Sequence, residues 1–173
     1  MKRTIDAKLF RDLVRLFGGL HDLQDKLLQA VQSKIEAMKR ADIQAMRQFA
    51  EREQALITRQ QEREGFRCQL MDRIGGELGL PGGAGRSLSI SQLASRLAEP
   101  QCTVLQDAAG KVRERALKVA QTNRVAGVVA REITNHLKWV FASVRPEGDS
   151  PVGYAGDGAL VTASSTKILE TVG

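Results

Sequence analysis

Aromatic residues are scarce in this chain of 173 residues, which has five Phe, one Trp (Trp139) and one Tyr (Tyr154). A core with so few rings has to be filled by Leu, Val, Ile and Ala. That suits packed helices better than sheets, whose strands favour β-branched and aromatic side chains. Proline is also sparse. Pro81, Pro100, Pro146 and Pro151 fall in two regions and leave long stretches free of helix breakers. The two cysteines, Cys68 and Cys102, sit in different predicted elements and have no histidine at ligand spacing. This argues against a disulfide framework and against a Cys–His metal site. No apolar run approaches the ~20 residues that span a bilayer. The basic start Met1-Lys2-Arg3 is not followed by the apolar stretch of a signal peptide, so the expected compartment is the reducing cytosol, hence a cytoplasmic location.

Residues that carry catalysis are missing in the same way. His21 and His136 are the only histidines, and each neighbours a helical seam position, as a surface or seam-edge residue does. No HExxH and no paired-Cys motif occurs. Gly82-Gly83-Ala84-Gly85 lacks the Lys-Ser/Thr of a phosphate loop and follows no strand. Glu51, Glu53, Glu62 and Glu64 alternate with Arg52, Arg59 and Arg63, a solvated helix face rather than an acid–base pair. The expectation is a protein that is not an enzyme and uses no cofactor or metal.

What the chain has in abundance is helical periodicity. Apolar residues make up 42% of it, enough for a core. A first helix is predicted from near Thr4, with Leu9, Leu13, Leu16, Leu20, Leu23 and Leu27 spaced by four and three, continuing as Leu28, Val31, Ile35 and Met38. Gly18-Gly19 interrupts it and marks a bend or a close helix approach. A break at Arg40-Ala41-Asp42 leads into a second helix, from about Ile43 to Leu78, with Asp42 as its N-cap. That helix has apolar ends and a polar middle, where only Ala55, Leu56 and Ile57 are apolar between Glu51 and Glu64. Such a middle bridges solvent or packs on one neighbour only. Gly79 and Pro81 stop it, and Pro81–Gly85 reads as a flexible linker. Ser89 and Gln92 form a capping-box pattern opening a short helix through about Ala98, and Pro100 suits the first turn of the last one.

The last helix carries the most regular signal. Leu105, Ala109, Val112, Ala116, Val119, Asn123, Ala126, Ala130, Ile133, Leu137, Val140 and Val144 alternate by four and three without a slip. Asn123 is the one polar member, as in coiled coils where a buried Asn fixes register. The fold expected is all-α: an antiparallel bundle of three long helices plus one short helix over residues 1–145, followed by a flexible C-terminal tail over 146–173. Charge follows the same division. The net charge is +6 overall, with 10 basic against 4 acidic residues in 81–145 and 1 against 4 in 146–173. A basic excess suits nucleic acid or an anionic surface, or simply a solvated face that keeps the chain soluble. The basic segment Lys111–Lys118 is interrupted by Glu114 and has no interleaved aromatic platform, which weighs against nucleic acid.

Several stretches, taken in order, resemble the FlgN family of flagellar type III export chaperones. They are Lys34–Met38 with Ala41-Asp42, Glu51–Ile57, Glu77–Leu80, Leu88–Leu93, Gln121–Arg124 and Tyr154–Gly158. The resemblance implies a cytosolic chaperone that binds hook–filament junction proteins, keeps them competent for secretion and delivers them to the flagellar export apparatus. It implies no ATP, metal or cofactor, and no nucleic-acid partner. In the family the client contact lies toward the C-terminal part, which by position points to Leu137, Val140, Val144, Tyr154, Ile168 and Leu169. Two other readings stay open from the residues alone: a coiled-coil scaffold or adaptor, and a basic helical nucleic-acid-binding protein.

Overall fold

The computed structural model describes residues 2–144, 152–154 and 160–162. Its elements are α1 (Ala7–Lys39), α2 (Ile43–Glu77), α3 (Ala84–Ser87), α4 (Ile90–Arg96), α5 (Gln101–Val144), β1 (Val152–Tyr154) and β2 (Leu160–Thr162). They fall into two compact units, Met1–Ala130 and Arg131–Gly173, and α5 contributes to both.

The first unit is an all-α bundle. Helix α1 begins at Ala7 rather than near Thr4 because Asp6 caps it, its carboxylate accepting from the backbone N–H of Lys8 and Leu9. The residues before it are extended and tie down the α4–α5 connection. Arg3 N–H donates to Arg96 O at 2.8 Å, Ala98 N–H donates to Arg3 O at 2.9 Å, and the Gln101 side-chain amide bonds both backbone groups of Ile5 in a buried setting. Between α1 and α2 the chain reverses through Ala41, which is left-handed at φ 54°. Asp42 then caps α2 as expected, accepting from Ala45 N–H at 2.9 Å. Gly79, at φ 74°, lets Leu80 N–H reach back to Gly75 O at 2.9 Å and closes the end of α2.

The stretch expected as a flexible linker is instead folded onto α2. Ala84–Ser87 form the single turn α3, so there are two short helices where one was expected. The glycines serve close approach. A Cβ on Gly75 would stand 2.7 Å from Gly85 Cα, and one on Gly85 would overlap the Met71 carbonyl. Asp72 fastens the turn by accepting from Gly83 N–H at 3.1 Å and from Arg86 Nη2 at 3.2 Å. The α4 capping box forms as expected, with Gln92 N–H donating to Ser89 Oγ and Ser89 N–H to Gln92 Oε1. A Cβ on Gly19 would meet only the Arg63 guanidinium, the end of a side chain that can swing aside.

Three apolar clusters order the long helices up, down and up. At one end Leu13, Leu16 and Phe17 of α1 meet Leu70, Met71 and Ile74 of α2, Leu93 and Ala94 of α4 and Leu105 of α5. In the middle Leu23, Leu27 and Ala30 meet Leu56 and Val119. At the far end Val31 and Ile35 meet Ala126. Helix α2 is therefore antiparallel to both α1 and α5. Polar links hold the polar middle of α2 to α1: Gln24 donates to Gln60 at 2.9 Å, and Lys34 pairs with Glu53. Arg115 pairs with Asp25 at 2.6 Å and joins α5 to α1. Only Leu56 is fully buried in that middle stretch of α2, which leaves a groove of about 610 Å³ lined in part by Leu20, Leu27, Ile57, Val119 and Asn123. Asn123 is accordingly exposed and does not act as a buried register residue within this unit.

In the second unit the structure describes the last turns of α5 and an antiparallel hairpin with Val152 opposite Thr162, Gly153 opposite Val161 and Tyr154 opposite Leu160. The expected break after Arg145 and the remainder of the tail lie outside the described residues. Among the described residues no helix is long and apolar enough to cross a membrane.

Candidate protein-binding site

The seam of α5 is uniform in sequence but not in burial. Leu105, Val119 and Ala126 are buried in the first unit, and Val129 packs at the edge of the last cluster. In the second unit the same periodic face is open. Leu137 is 48% exposed and Phe141 72% exposed, and Val140 is half-buried. Residues three and four apart share one side of a helix, so Leu137, Val140 and Phe141 form a single apolar strip. Trp139 is 67% exposed on a different side. Its indole stacks on the His136 ring, with centroids 6.2 Å apart and planes inclined by 25°, and its carbonyl accepts from Ser143 Oγ at 2.9 Å.

Such a strip is the opposite of what a finished surface shows. Scattered apolar residues on a surface are ordinary, whereas several large ones on adjacent turns mark a contact site. Leucine, valine and phenylalanine offer nothing to a reacting bond, but they fit the apolar face of another helix. Lys138 and Arg131 are exposed in the same turns and keep the strip soluble when it is uncovered.

The residues expected at the site separate into three groups. Leu137 and Val140 lie together on the open face, and Val144 is the last residue of α5. Tyr154 lies in β1, opposite Leu160. Ile168 and Leu169 lie outside the described residues. Phe141 and Trp139 complete the exposed apolar set and were not singled out from sequence. Phe141 stands four residues after Leu137, the spacing that places it on the same face, but it falls between positions of the strict four-three seam.

The titrating groups elsewhere form surface pairs rather than a reactive centre. Glu36, Glu64, Glu99 and Glu114 are held below the ordinary carboxylate range, chiefly by side-chain hydrogen bonds from Lys39, Arg67, Thr103 and Lys118 respectively. Cys68 and Cys102 are not bonded to each other, and Cys102 is buried. Among the described residues no three His, Cys, Asp or Glu side chains are grouped so as to hold a metal ion.

The family model described as FlgN protein matches residues 1–162, which takes in the whole bundle, the open end of α5 and both strands. No curated protein and no solved structure matches the chain significantly.

Proposed function

The chain belongs to the FlgN family, a family of flagellar export chaperones, and from that premise we propose that it binds hook–filament junction proteins in the cytoplasm and delivers them to the type III export apparatus. The observation that carries the reading is the open apolar face of α5 at Leu137, Val140 and Phe141. A client's amphipathic helix laid along it packs apolar side chain against apolar side chain. Burying a Leu or Phe side chain completely is worth roughly 1.5–3 kcal/mol, so the half still exposed on Leu137 and the nearly three-quarters on Phe141 are worth about 2–4 kcal/mol together. Association costs of several kcal/mol oppose this. On this balance the strip alone holds a client weakly, which suits release at the export apparatus, and further residues have to add contact. Val144, Tyr154, Ile168 and Leu169 are the further client-binding residues of this proposal, and residues 146–173 its tail, ordering as the client docks.

The test is co-elution with the C-terminal segment of a cognate hook–filament junction protein on a sizing column at moderate salt. The complex is expected with the natural chain and lost with Leu137→Ser/Phe141→Ser, a variant expected to stay folded because Leu137 is half exposed and Phe141 largely so. Absence of a complex with a folded natural chain refutes the chaperone reading. Self-association that rises with concentration and disappears in the same variant favours the scaffold reading instead, with a second copy occupying the face.

A further inference from the structure

Within the first unit α5 carries a second apolar stripe, on the side turned away from its buried seam. Leu117 is 63% exposed, Val125 50% and Val128 48%, while Val119 and Ala126 on the opposite side are buried. At 3.6 residues per turn, Leu117 and Val128 lie almost in line, roughly 16 Å apart along the axis, with Val125 to one side. An eleven-residue spacing runs nearly parallel to a helix axis, so the stripe is straight over about three turns.

Its charged border has one sign. The cations of this stretch are engaged with two exceptions, both on one flank of the stripe: Lys111 pairs with Asp107 at 2.7 Å, Lys118 with Glu114 at 2.7 Å and Arg115 with Asp25 at 2.6 Å. Arg113 and Arg124 are exposed and have no ion-pair partner among the described residues. Asp107 and Glu114 are the only acidic residues from 107 to 130, and both are already neutralised. The stripe therefore presents apolar contact bordered along one flank by two uncompensated guanidinium groups.

We propose that this outer face of α5 docks an acidic amphipathic helix of a partner protein, at a surface separate from the client face. A second copy of the chain is a poor occupant, because the face brings no free carboxylate to Arg113 and Arg124: Asp107 and Glu114 are already paired with Lys111 and Lys118. A helix with a Leu or Ile stripe and Glu or Asp beside it matches both features, since each guanidinium gains a carboxylate in a fork geometry. The patch is small, so the complex is transient and salt-sensitive.

The experiment uses the full chain and two fluorescent synthetic helical peptides with the same Leu stripe, one flanked by Glu and one by Lys. Anisotropy is expected to show the Glu peptide binding at least tenfold more tightly, with an advantage that shrinks as salt rises. Leu117→Ser/Val128→Ser and Arg113→Glu/Arg124→Glu each lower that affinity at least tenfold, and the charge reversal improves binding of the Lys peptide. Circular dichroism melting establishes that these exposed substitutions leave the bundle folded. Leu137→Ser/Phe141→Ser leaves Glu-peptide binding intact, which separates this surface from the client face. The proposal is overturned if both peptides bind equally, if the Glu peptide is indifferent to these pairs of substitutions, or if Leu117→Ser/Val128→Ser abolishes a dimer of the chain. Binding to anionic lipid vesicles with no preference between the peptides overturns it as well.

Discussion

Replacing Gly85 by Ala tests whether the glycine-rich connection is a docked element or a loose one. The added methyl overlaps the Met71 carbonyl and stands 2.9 Å from the Met71 carbonyl carbon and 3.0 Å from Asp72 Cα. Ordinary carbon–oxygen contacts need roughly 3.3 Å. Those atoms belong to the backbone of α2, and the Met71 side chain is fully buried, so the displacement falls on α3. A retreat of about 1 Å stretches the 3.1 Å and 3.2 Å hydrogen bonds that Asp72 accepts. Overpacking of this kind costs about 1–3 kcal/mol, equivalent to a fall in melting temperature of roughly 2–4 °C per kcal/mol for a chain of this size. Gly76→Ala is the control. A Cβ there meets nothing within 4 Å, and in a helical position alanine is favoured over glycine by up to about 1 kcal/mol. The two substitutions should therefore move stability in opposite directions in urea titrations followed by far-UV circular dichroism. If Gly85→Ala is neutral or stabilising, α3 is not packed on α2 and the close-approach account of Gly75 and Gly85 is wrong.

Other substitutions probe single interactions. Ala41→Gly relieves a left-handed alanine and should raise stability by about 0.5–1 kcal/mol, read as an upward shift of the urea midpoint. Lys34→Ala strands the partly buried Glu53 carboxylate and should cost about 1–2 kcal/mol, whereas Lys39→Ala at an exposed pair should cost under about 0.5 kcal/mol; equal losses would show that burial does not distinguish the two pairs. The Glu64 carboxyl is depressed by the Arg67 hydrogen bond, so its contribution is present above its ordinary value of about 4.5 and is lost as pH falls through the lower folded value. Glu64→Gln should accordingly lower stability somewhat at neutral pH, leave it unchanged once the pH lies below the folded value, and so flatten the acid limb between the two.

The long helices were legible because their seams repeat. Leu13, Leu16, Leu23 and Leu27 are core in the sequence pattern and core in the bundle, and Asp42 and Ser89 start helices where capping chemistry places them. A seam does not record where its partner helices stop, however. The spacing from Leu105 to Val144 is uniform, yet the last cluster on it is the one at Ala126, and Leu137 is left half exposed. Phe141 and Trp139 escaped notice because they lie between the positions of the regular alternation. Helix α3 was illegible in another way. Glycine permits both freedom and contact, and only the position of Gly75 opposite Gly85 shows which of the two applies. Asn123 looked like a register residue from its place in the repeat, but the polar middle of α2 leaves it facing a groove.

The three apolar clusters are unequal in size, thirteen buried residues at the end containing Leu13 and Met71, five around Leu27 and three around Ile35. Local opening free energy follows the apolar contact that must be broken, so amide-hydrogen protection in the first unit should decline along the bundle. Amides around Met71 and Leu93 should exchange only through global unfolding, while those around Val31, Ile35 and Ala126 exchange through a partial opening of the α1–α2 turn. The bundle thus has a lasting end and a yielding end, and within the first unit a protease should cut first near Arg40.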